Sequence, residues 1–170
     1  MIILVPTIPH TGTKLLANDI LRDFEHNALI NKPKNGQKID DHIFPEKITR
    51  WKELMTEYPA IIPLRNPVSI AVSWERRHRD LGELMVMWYI LVEQLDKFNP
   101  SYLPIDSLDR NKYLDRINQR LGLKLTTDWP IVNSVHNSTD VSINDLSMEG
   151  RSKVLRMMRN TKEFVDRFYG

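Results

Sequence analysis

Two short apolar runs constrain this chain more than any other feature: MIILV at 1–5 and AIIPL at 60–64, each followed by a turn and then by helix formers. Unbroken apolar runs of this length read as strands buried on both faces of a parallel sheet, because a half-exposed strand would alternate. Pro63 lacks a backbone donor and argues against a fully paired central place for the second run. SYLPID at 101–106 reads as a third strand, and a short segment at Ile39–Ile43 precedes the second helix.

The intervals between the strands carry helical spacing. From Thr13 onward Leu16, Ile20, Leu21, Phe24 and Ala28 share a face. After Pro45, suited to a first turn, Ile48, Trp51, Leu54 and Tyr58 follow three or four apart. Ser69 to Phe98 is helical with a break near Gly82. The stretch 106–122 turns Leu108, Leu114, Ile117 and Leu121 inward and stops at Gly122. Ser147 to Phe168 places Val154, Leu155, Met158, Val165 and Phe168 on one side. Alternating strands and helices predict one α/β domain over 1–170, with a small, mostly parallel central sheet flanked by helices. Ligands of such sheets collect at the carboxyl ends of the strands, where the turns after Val5 and Leu64 lie.

The 24 basic and 22 acidic residues leave a formal charge of +2, too balanced for a protein that coats nucleic acid, so any anion site is local. Without cysteine there is neither thiol catalysis nor a disulfide. The longest apolar run, LMVMWYILV at 84–92, is too short to span a bilayer, and the opening residues do not resemble a secretion signal. The expectation is a soluble cytoplasmic protein without a membrane span. On that reading the glycosylation pattern at Asn137-Ser138-Thr139 is a chance match. The five histidines show no metal-ligand spacing, so no metal is expected.

The first turn, PHTGTK at 9–14, feeds a helix amino terminus and offers hydroxyls at Thr11 and Thr13, with His10 and Lys14 at its two ends. It reads either as an anion loop or as a helix cap. The second turn, in PLRNPVSIAVSWERR, sets Arg65 at a strand end and Ser73 one to two helical turns beyond, either converging on an anion or merely superficial. RRHR at 76–79 reads first as a solvated helix face and second as an extension of the anion site at the second turn, and the basic residues at 151, 153, 156, 159, 162 and 167 first as a solvated face and second as a surface for an acidic acceptor. His26 and His78 read as surface residues, and the loop with His136 and Asn137 stays unassigned.

Taken together, the two turns resemble the sulfotransferase family that uses 3′-phosphoadenosine-5′-phosphosulfate, PAPS. The family's PKSGTT-type loop is loosely matched by Pro9-His10-Thr11-Gly12-Thr13-Lys14. Its R-N/D-P-x-x-x-x-V-S block is closely matched by Arg65-Asn66-Pro67 with Val72-Ser73. DHIFPEK at 41–47, PIDSLDRNKYLDRINQRLGLKL and the closing EFVDRFYG extend the similarity over nearly the whole chain. Where the family has a loop lysine or arginine this chain has His10. Lys14 stands where Thr or Arg is common, Leu15 replaces a Trp, and the interval to His42 is short, which implies an open acceptor site.

The resemblance implies a three-layer P-loop-like fold and in-line sulfuryl transfer from PAPS to an acceptor hydroxyl or amine, releasing 3′,5′-adenosine bisphosphate (PAP). In that scheme His42 is the base and Lys14 and His10 supply charge. His10, Thr11, Gly12, Thr13 and Lys14 hold the 5′-phosphosulfate, and Arg65 and Ser73 hold the 3′-phosphate. The rival readings are a nucleotide-binding protein that has lost transfer, and a kinase-type phosphotransferase, which the missing Walker spacing disfavours. The acceptor, whether sugar, peptide or small alcohol, is not specified by any residue pattern.

Overall fold

The computed structural model describes residues 1–127 and 141–170. Its five strands are β1 (Ile3–Thr7), β2 (Glu25–Asn27), β3 (Gln37–His42), β4 (Ile61–Leu64) and β5 (Ser101–Pro104). All pairings are parallel: β3 runs between β2 and β1, and β4 pairs with β5. One parallel bridge, Leu4 to Ala60, joins the two groups, with Leu4 N–H donating to the Pro59 carbonyl at 2.9 Å. The order across the molecule is therefore β2-β3-β1-β4-β5. Pro6 and Pro63 lie where the β1–β4 ladder would continue, and neither has a donor to extend it.

Six α-helices complete the described fold: α1 (Ile48–Met55), α2 (Pro67–Arg76), α3 (Leu81–Ile90), α4 (Arg110–Leu121), α5 (Met148–Asn160) and α6 (Lys162–Tyr169). None is long and apolar enough to cross a membrane. Successive residues of β1 point to opposite faces and feed two cores. Leu4 packs in the larger one with Trp51, Trp74, Trp88 and Phe164, while Ile3 and Val5 pack with Leu16, Ile20, Leu114 and Ile117. Helices therefore cover both faces of small parallel sheets, the α/β arrangement that the alternating pattern predicts.

Four expectations are corrected. The first helix does not run to Ala28; it becomes π-helical over Leu15–Ile20, and the chain then turns into β2. Lys38, buried on β3, donates to the carbonyls of Ala17 and Leu21 at 2.6 and 3.0 Å, occupying acceptors that a continuing helix would use. The segment expected only around Ile39 is a central strand. Leu108 is fully exposed because α4 begins two residues later, at Arg110. The closing helix is two helices, broken at Thr161, whose hydroxyl donates to the Met157 carbonyl and accepts from Trp88 Nε1. Its buried stripe runs through Gly150, Val154 and Met157, which leaves Leu155 more than half exposed. The Asn137-Ser138-Thr139 match and His136 lie outside the described residues.

Candidate functional site

Because the strands are parallel, the ends of β1, β3 and β4 meet at one edge of the molecule. There the loop after β1 is folded by its own backbone: His10 and Gly12 both take left-handed conformations, at φ 69° and 91°. A side chain at Gly12 would place its Cβ 2.5 Å from Ile105 Cδ1. Only glycine meets both conditions at low cost. Gly12→Ala is expected to lower stability by about 2–3 kcal/mol, from left-handed strain and overpacking together. Denaturant unfolding measures this, and adding Ile105→Val, which deletes the obstructing methyl, should recover the overpacking part.

The loop is fastened from several directions. Thr11 is completely buried, and its hydroxyl donates to the Ile8 carbonyl at 2.6 Å. Trp74 Nε1–H, from α2, donates to the Pro9 carbonyl at 2.9 Å, and Arg65 Nη1–H donates to the His10 carbonyl at 3.2 Å. The Thr11 hydroxyl and one arm of Arg65 therefore brace the loop. Ser73 is also occupied, accepting from Arg77 Nη1 at 2.8 Å.

In front of the loop lies a cavity of about 590 Å³. Pro9, His10, Gly12, Thr13 and Lys14 form one wall; Thr7, Asp40, Asp41 and His42 form the β-strand wall, and Arg77 and Arg79 close it from the end of α2. His10, Gly12, Thr13, Lys14 and His42 thus line one cavity. Thr11, Arg65 and Ser73 do not line this cavity.

His42 is held by its neighbours. Register pairs it with Thr7, whose Oγ1 lies 2.9 Å from His42 Nδ1 and 3.2 Å from the Asp41 carbonyl. A hydroxyl that donates to the carbonyl accepts from Nδ1–H, which leaves Nε2 as the free, basic nitrogen. Burial pulls the His42 pKa below its ordinary value against the raising effect of Asp41, with Lys47 and Arg79 adding to the fall. The ring is therefore neutral at neutral pH. His10 is lowered further, to about 4, by burial first and then by Arg77, Arg79, Arg65 and His42. It therefore carries no charge at neutral pH, and the charge expected of it is absent.

Two side-chain donors are buried without a partner among the described residues: Thr13 Oγ1 and Arg65 Nε. Such atoms are uncommon in folded proteins and mark places where an acceptor is missing. Thr13 lies in the loop, and Arg65 is hydrogen-bonded to it through the His10 carbonyl. Arg77, Arg79, Trp74 and Thr7 are the site residues that sequence reasoning missed or set aside. A signal existed only for the arginines, in the RRHR cluster, whose helical context made it read as a solvent face. Compared with family models, curated proteins and solved structures, the chain matches none.

Proposed function

We propose that this protein transfers a sulfuryl group from PAPS to an acceptor hydroxyl or amine within a P-loop-like fold, with the cavity before the loop as the reacting centre. The observation that carries the reading is the pairing of a neutral, Thr7-anchored His42 with a cationic wall across one cavity. A base that must accept a proton and cations that must meet a transferring anion are what such a reaction needs.

In this scheme the acceptor oxygen or nitrogen attacks sulfur as the bond from sulfur to the phosphate oxygen breaks. The acceptor's proton passes to His42 Nε2, and the departing phosphate keeps the electron pair. Thr13 Oγ1, with no partner among the described residues, donates to a phosphosulfate oxygen, and Lys14 adds charge from the same wall. The 3′-phosphate falls to Arg65, whose Nε–H likewise has no partner among the described residues, and to Ser73. For Ser73 this requires its hydrogen bond to Arg77 to be shared or exchanged. No step calls for a metal ion, because protein cations neutralise the transferring group.

A second reading is favoured by one observation: His10, in the place of the family's loop cation, is uncharged at neutral pH. A protein that binds the nucleotide without transferring sulfate would tolerate that exchange. Thermal unfolding with PAP and, separately, with ATP and magnesium separates the readings. Binding of PAP at a hundredfold excess over Kd is expected to stabilise the fold by about 2.7 kcal/mol. Stabilisation by magnesium-ATP alone would instead select a phosphotransferase, and PAP binding without turnover on any acceptor would select the non-catalytic protein.

A further inference from the structure

We propose that Arg79, with Arg77 on the same wall, is the cation that meets the departing phosphate oxygen, delivered from the end of α2 in place of the loop cation that His10 replaces, while Lys14 faces the transferring group. The inference rests on the sulfuryl-transfer reading and assigns a role which that reading leaves open. His10 is neutral, and Lys14, although it lines the cavity, is exposed and has no hydrogen bond or ion pair among the described residues.

The backbone explains how a residue beyond the helix reaches the cavity. α2 ends with His78 in a left-handed conformation at φ 55°, His78 N–H donating to the Glu75 carbonyl and Arg79 N–H to the Trp74 carbonyl, both at 3.0 Å. This pair of reversed bonds is a Schellman closure, which folds the chain back so that the residue after the left-handed position meets the residue three from the helix end. Those two residues are Arg79 and Trp74. The guanidinium carbon lies 4.9 Å from the centre of the indole ring. The same ring bonds the Pro9 carbonyl and meets His10 edge-on at 6.4 Å. One buried tryptophan thus holds both the loop and the cation that faces it. Arg77 is set by its bond to Ser73 Oγ, and neither arginine has a carboxylate partner among the described residues. As the sulfur–oxygen bond breaks, the negative charge gathering on the departing phosphate oxygen is met by this guanidinium, while the proton goes to His42.

The test compares Arg79→Gln and Arg79→Lys with the wild type in two measurements. In the ligand-free protein, histidine titration by NMR reads the charge directly. His10 faces Arg77, Arg79, Arg65 and His42, and His42 faces Asp41, Lys47, Arg79 and Thr7. Loss of the Arg79 charge should move both midpoints upward, and Arg79→Lys should restore part of the difference. In turnover with PAPS, Arg79→Gln should lower kcat by about 10²–10³-fold with little change in acceptor KM, as removal of a preorganised donor does. Histidine midpoints that stay in place, or a kcat within twofold of wild type, overturn the assignment. A wild-type protein that neither binds PAP nor transfers sulfate overturns the underlying reading instead, and the titration alone then decides whether Arg79 acts on the cavity.

Discussion

His42→Ala is expected to lower sulfuryl transfer by about 10²–10⁴-fold, the range for a positioned acid–base group, while PAP binding stays near wild type. The separation follows from the geometry: His42 stands on the β-strand wall of the cavity, whereas the groups assigned to the nucleotide belong to the loop, to the turn after β4 and to α2. The pH profile gives the sign. A general base acts in its neutral form, so the rate should rise with pH through the His42 pKa and level off above it. Burial, the largest influence, holds that pKa below the ordinary value of 6.5 despite Asp41, so the acid limb should have its midpoint below 6.5 and the plateau should include neutral pH. Transfer at the wild-type rate by His42→Ala would remove this residue from the mechanism, with Asp40 and Asp41 on the same wall as the next bases to test.

The largest stability effect is expected at Trp74. The ring is 1% exposed, and Trp74→Ala should cost about 3–5 kcal/mol in the denaturant midpoint, as emptying a large aromatic site does. Trp74→Phe is more informative because it largely fills the space and deletes only the N–H. The Pro9 carbonyl then loses its buried donor, at about 1–3 kcal/mol. Since that carbonyl belongs to the loop, PAP affinity should fall along with stability. Trp88→Phe is the control. Trp88 is as deeply buried, but its N–H donates to Thr161 Oγ1, between α5 and α6. It should lose comparable stability and leave PAP affinity unchanged. Equal effects of the two substitutions on affinity would show that Trp74 acts only through global stability.

Much of the fold was legible because burial leaves a period in the sequence. Strands form within or overlapping MIILV, AIIPL and SYLPID, at Ile3–Thr7, Ile61–Leu64 and Ser101–Pro104; Pro45 precedes α1, the break near Gly82 falls between α2 and α3, and Gly122 ends α4 in a left-handed conformation. What was misread had a tertiary cause. Residues 13–28 have the spacing of one helix, but the buried Lys38 arrives from a strand to cap the shorter one. The break at Thr161 depends on a hydroxyl shared between Trp88 and Met157, one of which is 73 residues distant.

The site divides in the same way. Sequence by itself determined the alternating strands and helices and the one-glycine loop at 9–14, because apolar periodicity and turn chemistry are local properties; His42 entered only through the resemblance to the sulfotransferase family, which also joined Arg65 and Ser73 into one candidate site. Tertiary structure alone decided which of those residues share a cavity. Parallel register put Thr7 beside His42 and fixed the free nitrogen of the ring. Burial beside three arginines removed the charge expected of His10. A helix end folded back onto Trp74 brought Arg79 to the cavity wall, whereas RRHR in the sequence reads first as a solvated helix face. Each of these outcomes depends on groups far apart in the chain, and desolvation and Coulomb interaction act between groups only after the fold has set their distances.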